Sequence, residues 1–291
     1  MELYHHTADE AIEIFQAATQ ANLLIATREG NVIQLDETTA SDVMLTGDLH
    51  GHEANYQKIL QAADLDRNPR RHLVFQELCH GGEPYPNGGC RSHLLVENIA
   101  RLKVKYPDRV HHITSNHELA ELVEYPIQKC SQLLNLSFSM GMEYCYGNRA
   151  GDVRIAMLGY LESCPLAVRI TDSVFFSHSI PEGLDRGNLI FDRTVFYRPY
   201  DPCSDFLLDG SVYRLVWGRD YRQENADAFA AMVGTEILVC GHDPCLEGVK
   251  YPNSRQAVLD CCADQACYMV VPVREKLTTW NYRTCVRQLG K

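Results

Sequence analysis

The first apolar pattern lies near the start of the chain, where Ala11, Ile14, Phe15 and Ala18 recur at helical spacing. Thr7 and Glu10 form the T-x-x-E box that satisfies the free N–H groups of a first turn, so a helix is predicted over roughly Ala8 to Asn22. Leu23 to Leu35 reads as two short strands around the turn Glu29-Gly30-Asn31. Short apolar runs then alternate with helical patterns. Strands are predicted at Asp42–Thr46, Leu73–Gln76 and Val110–Thr114, separated by helices at Glu53–Ala63 and Leu94–Lys105. In the second half, Val153–Leu158, Leu166–Ile170, Val174–Ser177, Glu236–Cys240, Ala257–Leu259 and Tyr268–Val273 read as strands, and Glu224–Val233 as a helix. The stretch Asp185–Gly210 has little periodicity and reads as a long loop. Alternating strands and helices argue for an α/β fold, whose ligands bind beyond the carboxyl ends of the strands. No repeat, low-complexity tract or linker divides the 291 residues, so one domain is expected.

Composition narrows the function classes. Lys and Arg total 27 and Asp and Glu 38, a formal charge of −11 without a basic stripe, which argues against a nucleic-acid partner. No apolar run is long enough for a membrane span, and the first residues lack the pattern of a signal peptide, so a cytoplasmic location is the expectation. The 12 cysteines carry no paired C-x-x-C spacing and read mainly as reduced, buried thiols, although Cys79 with Cys90, or Cys240 with Cys245, could lie close in space. The sequence leaves the oligomeric state open.

The chemistry gathers where strands end. Asp48 and His50 follow the strand at Asp42, Glu77 follows the next, and Asn116 and His117 the third. His178 follows Phe175-Phe176-Ser177, and His242 follows Leu238-Val239-Cys240. Each cluster alone is a weak signal; the ordered set of carboxylates, imidazoles and an amide is a stronger one, suited to Zn, Mn or Fe.

These residues carry a resemblance. GDLHGH resembles the G-D-x-H-G motif of calcineurin-like metallophosphoesterases, and SNHE resembles their G-N-H-[ED]. SHS and GHDP resemble the later histidine motifs. The Ser/Thr protein phosphatase branch is most similar: LESCPLAVRITDSVFFSHSIPEG resembles its segment with an L-P pair and V-H-G-G, and LVWGRD its L-x-W motif. The likeness runs from about Val43 to Cys262. It implies a four-layer αββα sandwich with two mixed sheets. It also implies two divalent or trivalent metal ions, Mn, Fe or Zn, roughly 3.5–4 Å apart. By resemblance, Asp48 and His50 bind the first and Asn116, His178 and His242 the second, with Glu77 where an aspartate bridges both. The second motif departs most. G-D-x-x-D-R-G becomes Gln76-Glu77-Leu78-Cys79-His80-Gly81-Gly82, so a histidine replaces an aspartate and a glycine an arginine that binds phosphate. Arg219 is the leading candidate to replace that arginine, with Arg222 the weaker one.

The implied reaction is hydrolysis of a phosphoric monoester, with a phosphoprotein as a candidate substrate. A metal-bridging hydroxide attacks phosphorus and His117 protonates the leaving group. In the family a carboxylate orients that histidine; here His80 occupies the position, and Glu118 or Glu83 are candidates to compensate. Two alternatives stay open. One is a nucleotide, dinucleoside polyphosphate or phosphodiester hydrolase of the same fold. The other is a metal-binding regulatory module without catalysis. The loops His80–Cys90 and Asp185–Gly210, the latter with Arg186, Arg193, Tyr197, Arg198 and Tyr200, are expected to shape substrate choice.

Overall fold

The structure is a computed structural model that describes residues 6–129, 131–187 and 191–290. Its first half runs α1 (Ala8–Leu24), β1 (Arg28–Glu29), β2 (Val32–Leu35), β3 (Asp42–Asp48), α2 (Glu53–Ala63), β4 (Arg71–Gln76), α3 (Ser92–Lys105), β5 (Val110–Ile113), α4 (Asn116–Leu122), β6 (Gln128–Lys129), β7 (Gln132–Leu133) and α5 (Leu134–Tyr146). The second half runs α6 (Ala150–Ser163), β8 (Ala167–Ile170), β9 (Val174–Ser177), α7 (Ser211–Trp217), α8 (Gln223–Val233), β10 (Ile237–Cys240), β11 (Val249–Lys250), β12 (Gln256–Leu259), β13 (Cys267–Pro272) and β14 (Val286–Gln288). The Thr7–Glu10 capping box opens α1 as its spacing predicts.

Two mixed sheets form, one in the order β1-β2-β8-β9-β10-β12-β11 and one in the order β14-β13-β3-β4-β5. Side chains alternate along the central strands and so feed different layers. Val43 and Leu45 of β3 and Val74 of β4 meet Val168, Phe176 and Val239 between the sheets. Met44, Leu73 and Phe75 face the other way, onto residues of α1, α2, α3, α5 and α6. Phe175 and Leu238 of the larger sheet pack outward on Leu215 of α7 and Phe229 of α8. The result is the four-layer αββα sandwich that the resemblance implies.

One predicted strand is corrected. Val153–Leu158 lies inside α6, where Val153, Met157, Tyr160 and Leu161 are buried at helical spacing. A short apolar run does not distinguish strand from helix, and the length of the whole segment decides. The sequence reading also placed no element on α5 or α7. Among the described residues no helix is long and apolar enough to cross a membrane, and the described cysteines are free thiols.

Candidate metal centre

Five strands deliver their last residues to one place. β3, β4 and β5 are neighbours and parallel, so Asp48, Glu77 and Asn116 emerge on the same edge. β9 and β10 are parallel neighbours in the other sheet and release His178 and His242. The Asp48 carboxylate accepts the His242 backbone N–H at 2.8 and 3.1 Å, which ties the two sheets together. Gly241 is required there, because a Cβ would lie 2.0 Å from Asp48 Oδ1. His50, Glu77, His80 and His242 all have positive φ (43°, 46°, 64° and 71°), a costly conformation for side-chain-bearing residues that is found at functional sites.

Two groups of candidate ligands share Glu77. His50, Glu77 and His117 each bring a ligand atom within 4.8 Å of the others, and so do Glu77, His178 and His242. Glu77 Oε2 lies 3.7 Å from His50 Nε2 and 3.6 Å from His178 Nε2, and Oε1 lies 3.6 Å from His117 Nε2. These gaps are long for hydrogen bonds. They approach the separation of about 3.4 Å between two ligands of one tetrahedral ion. Asp48 stands beside both groups, with its nearer oxygen 3.9 Å from His178 Nδ1. His117, read from sequence as a proton donor and not a ligand, joins the first group geometrically.

Ring tautomers can be derived from the hydrogen bonds. Gln76 donates its amide nitrogen to the Thr46 carbonyl at 2.9 Å, so its oxygen must face His178 Nδ1, 2.8 Å away. His178 Nδ1 therefore carries the proton, and the lone pair of the neutral ring sits on Nε2. That lone pair points at Asn116 Oδ1, 2.6 Å away, with His242 Nδ1 at 3.2 Å. His50 likewise donates Nδ1–H to the Cys79 carbonyl at 3.1 Å, which leaves its Nε2 lone pair towards Glu77.

The charges lead to the same conclusion. Burial raises the Asp48 carboxyl above its ordinary range. Burial, with the Asp48 charge next to it, raises Glu77 well above its own. Burial first, then neighbouring rings, holds His117 and His178 well below neutral, and burial followed by Arg219 lowers His242 to about 3. Two carboxylates and neutral imidazoles thus converge in a largely buried site, a donor set that fits divalent cations and is unfavourable without positive charge.

The divergent motif is rebuilt locally. A side chain at Gly81 is excluded, because φ is 149° and a Cβ would lie 2.3 Å from the His50 carbonyl oxygen; this backbone cannot carry the arginine of the motif that the segment resembles. His80 lies against His117, Nδ1 to Nδ1 at 2.8 Å, and its Nε2 meets Glu121 at 2.7 Å. Glu118, one of the two carboxylates considered from sequence, works elsewhere. It accepts the Leu78 and Cys79 N–H groups at 2.8 and 3.1 Å and the Ser115 hydroxyl. Glu121 and Gln76 were not foreseen. Only the i,i+4 spacing of His117 and Glu121 on α4 hinted at the first.

The candidate arginines separate. Arg219 sits at the rim, half exposed, donating to the His242 carbonyl at 3.3 Å and 3.7 Å from Asp243. Arg222 is taken up by Asp185 and Asp220, with contacts of 2.6–2.9 Å. Arg198 of the long loop is likewise held by Asp192 and Asp205. The His80–Cys90 loop is pinned to α5 through Cys90 N–H to the Ser137 carbonyl and Asn87 to the Met140 carbonyl, both at 2.9 Å.

No family model matches the sequence, and no curated protein does. Solved structures do match the fold. A protein serine/threonine phosphatase from Saccharomyces cerevisiae, described as similar to human phosphatase PP5, aligns over 92% of this chain and 83% of its own, with 16% identity and a TM-score of 0.64. A cold-active protein-tyrosine phosphatase of a psychrophilic Shewanella aligns over 93% of this chain and 84% of its own, with 12% identity and a TM-score of 0.52. A point mutant of a cold-active protein tyrosine phosphatase gives 14% identity and 0.56 over 93% and 84% of the two chains. The chain has the fold of a serine/threonine protein phosphatase.

Proposed function

We propose that this chain is a metal-dependent phosphoric ester hydrolase, a phosphomonoesterase of the Ser/Thr protein phosphatase type. The observation that carries the reading is the convergence of two candidate ligand groups on one buried carboxylate, Glu77. Asp48, His50 and Glu77 would hold one cation, and Glu77, Asn116, His178 and His242 a second, with Glu77 the ligand common to both. Two such cations, when bound, supply a water acidic enough to attack near neutral pH and positive charge against the phosphoryl oxygens. The chain's own residues do the rest. Asn116 and Arg219 bind the phosphoryl oxygens, Arg219 from the rim. His117 Nε2 takes the proton given up by the attacking water and delivers it to the leaving oxygen. The buried walls keep bulk water away and so strengthen every electrostatic contact. The phosphatase fold supports this choice of chemistry, and a phosphoprotein is the substrate class proposed.

A second reading rests on Gly81. That position admits no side chain, so of the two candidate arginines only Arg219 is left for the phosphoryl group, which suits a phosphodiester or nucleotide as well as a monoester. The test is to strip the protein of metal and titrate back Mn, Zn or Fe, following bound metal and hydrolysis of p-nitrophenyl phosphate and its bis-ester. Two ions per chain and monoester turnover, lost in Asp48→Asn and His242→Ala, are expected. Turnover of the diester alone would select the second reading, and failure to bind metal would overturn both.

A further inference from the structure

A carboxylate stands behind His117 at one residue's remove. Glu121 is buried and fixed from three sides. His80 Nε2 meets Oε1 at 2.7 Å, Asn135 donates to the same oxygen at 2.9 Å, and Arg154 donates to Oε2 at 2.5 Å. An ionised carboxylate only accepts, so His80 carries its proton on Nε2. Arg154 already balances the charge of Glu121, so a neutral His80 suffices, and its Nδ1 then holds a lone pair. That atom faces His117 Nδ1 at 2.8 Å, so His117 must present Nδ1–H to it. The Nε2 atom of His117 is thereby left facing the cluster, 3.6 Å from Glu77. His80 itself is anchored, its backbone N–H donating to Ser92 Oγ at 3.0 Å.

We propose that Glu121 is a positioning residue that acts through His80, setting the tautomer and orientation of His117 where a direct carboxylate contact is missing. Arg154 and Asn135 hold Glu121 in place for that role. The inference rests on the hydrolase reading for its kinetic consequence only. No net proton passes along the chain: the Nε2 lone pair of His117 takes the proton that the attacking water gives up as its oxygen bonds to phosphorus, hands it to the leaving oxygen as that bond breaks, and Nδ1–H stays directed at His80 throughout. Anchoring of α4 to α6 through Arg154 is the merely structural role to be distinguished from it.

The experiment uses the full chain, with two readouts. In ring-15N-labelled protein, nitrogen shifts are expected to report His80 as the Nε2–H tautomer and His117 as Nδ1–H. Glu121→Gln should mix the His80 tautomers and shift the His117 ring signals, and Glu121→Asp, which keeps the charge, should restore them. In the metal-loaded enzyme, Glu121→Gln should lower kcat on an alkyl phosphate by about 10–100-fold with little change in KM, because a poor leaving group needs the donor. On p-nitrophenyl phosphate the loss should stay below about threefold, since that leaving group needs little protonation. An unchanged His117 tautomer in Glu121→Gln, or equal losses on both esters, would overturn the proposal. If Glu121→Gln fails to fold, His80→Asn, which removes the link between Glu121 and His117, decides: a leaving-group-dependent loss supports the proposal and a uniform one overturns it. Should the wild type hydrolyse no ester, the hydrolase reading fails while the ring signals still test the chain.

Discussion

The site has two halves that are held in different ways. Asn116, His178 and His242 follow the ends of regular strands, and the ring of His178 is oriented by a neutral group, the Gln76 amide. The half around Glu77 and His80 follows the divergent motif, and buried acids hold it in shape. Burial would raise Glu118, but the His112 ring 3.7 Å away and bonds from the Ser115 hydroxyl and the Leu78 N–H hold it well below the carboxylate range, so it stays ionised beneath the turn. Glu121 does the same under His80, with Arg154 as counter-charge. Neutral hydrogen bonds suffice where the motif is kept. Where it departs, the chain commits further buried charge, which is costly to place and destabilising to break.

The hardest break falls on the residue the halves share. Glu77→Gln keeps the shape and removes the charge. Bound metal should fall from two ions per chain to at most one, and turnover on the order of a thousandfold, the several kcal/mol that charge stabilisation at such a site supplies. The metal-free variant should melt at a higher temperature than the metal-free wild type, because the Asp48–Glu77 repulsion and the burial of one carboxylate are relieved. Metal analysis and calorimetry of the stripped proteins check this. A lower melting temperature would make Glu77 a structural group and erase the contrast between the halves.

The neutral half is tested through Gln76. Gln76→Leu is similar in size but leaves His178 Nδ1–H and the Thr46 carbonyl unpaired in a buried site. Stability should drop by about 1–3 kcal/mol, the cost of such orphaned groups. Metal affinity should weaken by about 10–100-fold, as for other groups that orient a ligand. Isothermal titration of metal into wild type and variant measures the second effect. Equal affinities would mean that the strand ends alone aim His178.

Much of this architecture was legible in the sequence. The predicted bounds of α2 and β9 match the observed Glu53–Ala63 and Val174–Ser177, and the strand-end positions of Asp48, Glu77, Asn116, His178 and His242 follow from runs of Val, Leu, Ile and Phe. The remainder depended on tertiary information. The branched and apolar residues of α6 read as a strand until the whole segment is packed against α1. Gln76 is one polar residue at a strand end, and nothing in its spacing marks it as the partner of His178, 102 positions away. The left-handed turns at His50, Glu77 and His80 are invisible in composition because none of these residues is glycine. Arg198 and Arg222 looked like anion binders only because their carboxylate partners could not be assigned without coordinates.

Lys103 shows, away from the site, what a buried charge costs when its hydrogen bond goes to a backbone carbonyl. Its ammonium lies under α3 and donates to the Pro107 carbonyl at 2.6 Å. Burial lowers its pKa to about 8. The sign follows from proton counting. Between pH 8 and the ordinary lysine range near 10.4, the unfolded chain holds the proton that the folded chain has lost, so stability rises with pH across that window. At pH 7 the folded chain keeps the buried charge at a cost of about 3 kcal/mol. Lys103→Met should recover part of it, raising stability at pH 7 and flattening the rise above pH 8, as read from urea unfolding at a series of pH values. Glu121, by contrast, has Arg154 and His80 against it, and burial is outweighed so that its carboxyl is held low. A rise in stability above pH 8 that survives in Lys103→Met would assign the window to another group and remove Lys103 as the reference against which the salt-bridged acids of the site are judged.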